Sequence, residues 1–360
     1  MSESAVRAAF RDQARACAAL GSSFTAAVCD RLGQSLQTDQ GSVAARVLGW
    51  PGDPSGRAAS VPLRLCGALH ALVLGGDDPA LAQAYRARVV DEGAILTALR
   101  VHADRVLEWL DHAPQTNEVG RSAVLIAAAR FLAALCPQPI RALELGASAG
   151  LNLNFARYRL APGSDPMNSS DEGDAADRVV LRPDWQGDVP QGGFDVASAE
   201  GVDLHPLDPQ TDGLRLMAYC WADQDRRLAR LRAALHLART HPPRVVAGDA
   251  GDWLRDRLAR PAPDRLTLVC HTVAHQYFPP ATQSACADAL RRAADAAAAG
   301  GGAVAHFSME ADGGDGAALT LRLWDGRARG WHLGRADFHG RWVSWHPVAI
   351  QGLGDGRREG

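Results

Sequence analysis

The string Arg141-Ala142-Leu143-Glu144-Leu145-Gly146-Ala147-Ser148-Ala149-Gly150-Leu151-Asn152 limits the folds open to this chain more than any other stretch. A short apolar run ends in small residues, and a helical pattern follows directly. Strand, glycine turn and helix in that order belong to an open α/β sheet, where ligands sit at the carboxyl ends of strands. Gly146 and Gly150 allow backbone to approach a ligand closely, and a helix N-terminus offers free amides.

The texture of the chain changes at Cys136-Pro137-Gln138-Pro139. Residues 1–136 carry apolar residues at three- and four-residue spacing in the stretches 5–20, 80–91, 94–112 and 119–135, so an all-helical region is expected. Residues 137–360 alternate short apolar runs with helical stretches. Strands are expected at 141–145, within 195–204, and at 244–246, 266–270 and 303–308; helices are expected at 151–160, 214–240 and 282–299. Residues 319–324 and 341–345 are expected to pair as a closing antiparallel hairpin, and 163–193 reads as a polar surface excursion. The alternation predicts an α/β fold: a Rossmann-like, mostly parallel sheet covered on both faces, preceded by the helical region.

Composition narrows the chemistry. The chain has 360 residues, a net charge of −3, 47% hydrophobic residues and 22% charged ones, which is globular composition with room for two domains. All 38 basic residues are arginine. Without lysine there is no P-loop, no protein-kinase strand lysine and no Schiff-base amine. Arginine and aspartate are interspersed, with no stripe of the kind that holds nucleic acid. The seven cysteines are scattered without a C-x-x-C pair, so neither a zinc ribbon nor a disulfide framework is expected. No leader pattern opens the chain and no run of 18 apolar residues occurs, so a cytoplasmic protein away from membranes is expected, with a small-molecule substrate as its partner.

The glycine string supports more than one reading. It resembles motif one of the class I S-adenosylmethionine-dependent methyltransferases, with Glu144, Gly146 and Gly150 matching and Ser148 standing where the middle glycine is usual. The resemblance implies that the turn, through Ser148 and Asn152, cradles the methionine part of S-adenosylmethionine while Glu144 holds its ammonium side. It implies further that Asp203, in Gly201-Val202-Asp203-Leu204, binds the ribose hydroxyls, and that Asp249 and Ala250 contact the adenine amine. Carboxylates suit both partners because they accept hydrogen bonds; an Asp after a strand is also an ordinary turn or cap residue. Asp203 lies far along the chain from the turn, which makes 163–193 an insertion. The same string is a literal G-x-S-x-G, the nucleophile elbow of α/β-hydrolases, with Ser148 as nucleophile and Asp249 or Asp252 and a later histidine completing a triad. That fold calls for several strands upstream, where this chain reads helical. A purely structural tight turn is the third reading.

Cys270-His271-Thr272-Val273-Ala274-His275-Gln276-Tyr277 follows a predicted strand. The methyltransferase resemblance sets this strand end beside the reacting methyl group, making His271 a candidate general base or substrate-orienting group; a merely hydrogen-bonded histidine is the alternative. His271 and His275 have helical spacing, but no Glu follows the first as in H-E-x-x-H, and no metal is expected. Gln115-Thr116-Asn117-Glu118-Val119-Gly120-Arg121 reads either as a solvated helix start or as a polar lid offering Asn117, Glu118 and Arg121 to a substrate. Trp221-Ala222-Asp223-Gln224 divides the same way, with Trp221 and Gln224, like Tyr277, as substrate candidates.

In their order, these four strings also resemble the bacterial family designated domain of unknown function 2332 over nearly the whole chain. That resemblance implies no established activity. The expected function is methyl transfer from S-adenosylmethionine to a small molecule. The alternatives are a serine hydrolase using Ser148 and a non-catalytic, methyltransferase-like ligand-binding or scaffold protein.

Overall fold

Apolar residues three and four apart wind the first part of the chain into helices. They are Glu3–Ala19 (α1), Ser23–Ser35 (α2), Ser42–Leu48 (α3), Val61–Gly75 (α4), Pro79–Ala87 (α5), Glu92–Val101 (α6) and Ala103–Asp111 (α7). The structure is a computed structural model that describes residues 2–163, 178–260, 262–300 and 302–351. Local chemistry sets several boundaries. Asp78 accepts the Leu81 amide ahead of Pro79 to start α5, and Asp91 accepts the Ala94 amide to start α6. The single helix expected over 94–112 is broken at His102 into α6 and α7. No strand precedes residue 137 among the described residues, as expected. No helix among them is long and apolar enough to cross a membrane.

The chain forms two compact units, and their boundary differs from the one read at residue 136. The first unit runs through Thr116 and takes in Thr211–Arg232; the second holds Asn117–Gln210 and everything from Ala233 onward. Ser122–Leu135 (α8), although helical, packs with the second unit: its Phe131 ring meets Trp331 and Trp345 at 5.4 and 6.4 Å. Gly213–Ala218 (α9) packs with the first. There the ring of Tyr219 fills the space where a Cβ on Gly67 would sit, 2.5 Å away, and lies 5.8 Å from Trp109.

The long helix expected over 214–240 is therefore two, α9 and Asp225–Thr240 (α10). The break has a cause. Asp223 turns its carboxylate to the start of α2, where it accepts hydrogen bonds from the Ser22 hydroxyl and, at 2.9 Å, the Phe24 amide. Trp221-Ala222-Asp223-Gln224 is thus a connector within the first unit, not part of a helix.

The second unit is built on a nine-stranded, mostly parallel sheet. Its elements are Ile140–Leu145 (β1), Arg159–Leu160 (β2), Val180–Leu181 (β3), Asp184–Gln186 (β4), Val196–Asp203 (β5), Val245–Ala247 (β6), Ala250–Leu258 (α11), Leu266–Thr272 (β7), Pro280–Ala298 (α12), Ala303–Ala311 (β8), Ala317–Trp324 (β9), Ala328–Ala336 (β10) and Trp342–Ala349 (β11). The sheet order is β4-β11-β10-β9-β8-β7-β1-β5-β6, and β2 pairs separately with β3. The five strands β8-β7-β1-β5-β6 run parallel. β1 lies at their centre and, like β7, is buried on both faces, so both read as continuous apolar runs. On one face Leu143, Leu145, Val202 and Val269 pack under Trp253, Leu254, Cys286 and Ala289 of α11 and α12.

Three expectations in this unit need correction. The helix expected over 151–160 is a 3-10 helix, Leu151–Arg157, followed by β2. Its Asn152 and Asn154 side chains bond to the Ser122 hydroxyl and the His241 carbonyl, interactions that asparagine takes up in preference to α-helix. Residues 319–324 and 341–345 do not pair with each other, because β10 lies between them, antiparallel to both β9 and β11. Of the polar excursion at 163–193, residues 164–177 lie outside the described residues, and 178–193 contain β3 and β4.

Candidate functional site

The order of the parallel strands reverses between β1 and β7, and the carboxyl ends of such a pair form the crevice where open sheets take ligands. The turn after β1 lies there. Its backbone is left-handed at alternate residues: φ is +69° at Gly146, +54° at Ser148 and +71° at Gly150. Two of these require glycine on space as well. A Cβ on Gly146 would fall 2.6 Å from the Ala274 Cβ, and one on Gly150 would fall 2.6 Å from Val245 Cγ2.

Most of the turn's amides are already bonded. Gly146 and Ala147 donate to the Val202 carbonyl at 2.9 and 3.0 Å, and Gly150 donates to Ala147 at 2.7 Å. Asp203, at the end of β5, accepts the Ser148 amide on Oδ2 at 2.8 Å and the His205 amide on Oδ1 at 3.0 Å. Asn117 Oδ1 accepts the Leu151 amide at 2.8 Å, so the first amide of the 3-10 helix is taken as well.

Glu144 is different. It is 3% exposed, on the face of the sheet opposite Leu143 and Leu145, and its Oε2 has no hydrogen-bond partner among the described residues. Burial pushes its carboxyl up to about 8, against the hydrogen bond from Asn152 and the positive charge of Arg121. The Asn152 amide is itself oriented by the Ser122 hydroxyl, which donates to its Oδ1 at 2.7 Å. Arg121 donates to the carbonyls of Thr272 and Phe338, both at 2.8 Å. The polar string before α8 thus packs against the glycine turn: Asn117, Arg121, Glu144 and Asn152 form one cluster, while Glu118 turns its carboxylate back to the Gly120 amide at 2.8 Å.

His271 lies within β7 rather than after it, one residue beyond Cys270, the neighbour of Glu144 in the sheet. Its side chain therefore points to the opposite face from Glu144. It is 3% exposed, with Nδ1 2.7 Å from Glu310 Oε1 and Nε2 3.0 Å from His306 Nε2. Glu310 also accepts the Ala274 and His275 amides, each at 3.1 Å. Burial raises its carboxyl, but the His271 hydrogen bond and those amides outweigh burial and hold it below the ordinary range. Burial keeps His306 far below the ordinary histidine value and hence neutral. Glu310, His271 and His306 thus form one continuous hydrogen-bonded chain of side chains. His275 stacks on His271 at 4.8 Å, but as part of a short 3-10 helix and not at helical spacing from it.

The remaining predicted residues are scattered. Asp249 caps α11, accepting the Gly251 and Asp252 amides and, at 2.5 Å, the Thr282 hydroxyl, and Ala250 is the first residue of that helix. Tyr277 is 73% exposed. Trp221 and Gln224 belong to the first unit. A cavity of about 300 Å³ borders the turn at Ala149, walled by Pro206, Leu207, Pro209, Pro242, Pro243 and Val245, with Asp208 and Gln210 also lining it. Sequence reasoning passed over Ser122, His306 and Glu310. The last two lie on the half-buried face of β8, alternating with the buried Ala305, Phe307 and Met309; Glu310 falls beyond the strand expected at 303–308, and the period-2 pattern running on to Ala311 is the signal that reaches it.

The family model for an uncharacterized protein conserved in bacteria, DUF2332, matches residues 7–345, and the chain belongs to that family. No curated protein matches the chain, and no solved structure matches it.

Proposed function

For this member of the family, we propose that the glycine turn and Glu144 bind S-adenosylmethionine and that the second unit transfers its methyl group to a small molecule. One observation carries the reading: Glu144, buried at the carboxyl end of the central parallel strand, leaves Oε2 unpartnered. A buried carboxyl oxygen without a hydrogen bond is costly, and the ammonium of an amino-acid ligand would complete it with opposite charge. The strand order supports the same reading, because the turn stands at the switch point.

The cofactor would supply an electrophilic methyl group carried on a sulfonium. The chain's part is to bind and align. Glu144, having released its own proton to solvent, would accept hydrogen bonds from the ammonium, and the backbone of residues 146–150 would hold the amino-acid portion. Asp203 would offer its remaining acceptor capacity to the ribose hydroxyls, and the proline-walled cavity beside Ala149 would take the flat ring. Asp249, engaged as a helix cap, is left out of this scheme. Methyl transfer depends on alignment more than on a strong base, which agrees with the enclosed position of His271.

Titration calorimetry with S-adenosylhomocysteine tests the proposal. Binding is expected with proton release at neutral pH, because Glu144 must ionise. Glu144→Gln is expected to weaken binding by more than about tenfold, roughly 1.4 kcal/mol, and to abolish the proton release. No binding to the wild type at millimolar ligand would end this reading in favour of a scaffold protein.

A second reading rests on Ser148, a non-glycine residue at φ +54° within G-x-S-x-G, as a strained elbow requires. Against it, both ring nitrogens of His271 are engaged by Glu310 and His306. A fluorophosphonate probe is expected not to label the protein; stoichiometric labelling lost in Ser148→Ala would make it a serine hydrolase.

A further inference from the structure

Three thiols meet in the core of the first unit. Cys17 on α1, Cys29 on α2 and Cys66 on α4 are all free and buried. Cys29 is the central member of the row: its Sγ lies 3.5 Å from Sγ of Cys66, and its thiol also hydrogen-bonds Cys17. Gln13 Nε2 donates to Cys17 Sγ at 3.4 Å. Cysteine used only as a small apolar residue needs no contact between sulfurs. Disulfide sulfurs stand about 2.05 Å apart, so Cys29 and Cys66 would need to close by roughly 1.5 Å. Cys66, at 7% exposure against 0% for the other two, is the residue of the row that reaches solvent.

We propose that this row is a peroxide-responsive dithiol, in which a hydroperoxide oxidises Cys66 and Cys29 then closes a Cys29–Cys66 disulfide. In the first step the Cys66 sulfur attacks the peroxide: the O–O bond breaks, sulfur gains a hydroxyl group, and an alcohol or water leaves carrying the thiol proton. In the second step the Cys29 sulfur attacks Cys66: the S–S bond forms, the S–O bond breaks, and the hydroxyl departs as water with the Cys29 proton. Two thiols and one hydroperoxide thus become one disulfide, one alcohol or water, and one further water. Cys17 extends the row. In the reduced row the hydrogen bonds from Cys29 and Gln13 lower its thiol against burial, and the one from Gln13 remains once Cys29 is oxidised. It is placed to attack Cys29 and move the bond to Cys17–Cys29, releasing Cys66. The first bond ties α2 to α4, and the second ties α1 to α2.

The test uses the reduced, folded, full-length protein exposed to hydrogen peroxide, then denatured and alkylated for mass spectrometry. Two of its seven cysteines are expected to escape alkylation, joined as Cys29 to Cys66 or to Cys17, with reductant restoring both. Cys66→Ala should slow the loss of thiols by roughly tenfold, since the most exposed residue of the row is gone. Should that variant fail to fold, the wild-type peptide map decides alone. Full alkylation of all seven, under conditions that fully oxidise free glutathione, would overturn the proposal; so would a linked pair that omits Cys29.

Discussion

Glu144 holds its proton to about pH 8 in the folded chain, whereas its ordinary value is 4.5. Between those values the folded state binds a proton that the unfolded state has released, so this group's contribution to stability falls as pH rises. Buried histidines act in the opposite sense. Burial lowers His70 to about 4, and it lowers His275 and His306 as well, so their contributions are lost as pH falls below the ordinary value of 6.5. The absolute pH curve therefore mixes the two, and the difference between wild type and Glu144→Gln isolates the carboxyl. Urea denaturation from about pH 5 to about pH 8 is expected to show the variant gaining on wild type throughout, by on the order of 2–4 kcal/mol at the upper end. A difference that stays flat with pH would mean that Glu144 ionises normally in the fold. The identity of this acid was legible in the string before Gly146. That Oε2 would be left over was not, because Asn152, held by Ser122, and Arg121 come together around Glu144 only in the folded chain.

Among the helices, α2 depends on a distant residue for its start. Ser22, at the N-cap position, makes no side-chain cap of its own, and the Asp223 carboxylate serves instead. A carboxylate at that end also opposes the positive pole of the helix. Asp223→Ala should cost about 1–2 kcal/mol in urea unfolding, and Asp223→Asn less, because it keeps an acceptor; an unchanged midpoint for the alanine variant would show that the contact contributes nothing. Nothing in the sequence near Ser22 announces this cap. β10 is the opposite case. Asp325-Gly326 is a hairpin signal, and Gly326 turns at φ +94° between the paired residues Trp324 and Ala328. The sequence reading nonetheless places no strand at 328–336, because the bulge at Gly334, with φ +126°, interrupts the alternation that would mark it.

At the scale of the molecule, the first unit is discontinuous, and a fragment ending at Thr116 would lack Thr211–Arg232. It would lose the Tyr219 ring against Gly67 and Trp109, the Ala218 carbonyl bonded to His70 Nδ1, and the Asp223 cap. Such a fragment is expected to lack a cooperative thermal transition by circular dichroism, whereas sharp unfolding would show that the helices before Thr116 suffice. The sequence by itself determined what depends on near neighbours. The periodicity before residue 116 sets the helices, the apolar run 140–145 before a glycine turn sets β1, and the absence of lysine removes whole classes of chemistry. These are local because turn geometry and side-chain period are settled within a few residues. The tertiary structure alone decided that α8 and Asn117 serve the glycine turn, that Asp203 holds the Ser148 amide, that 211–232 returns to the first unit, and that three thiols form a row. Each of these joins residues distant in sequence, and what a side chain meets there depends on which surfaces the completed fold brings over it.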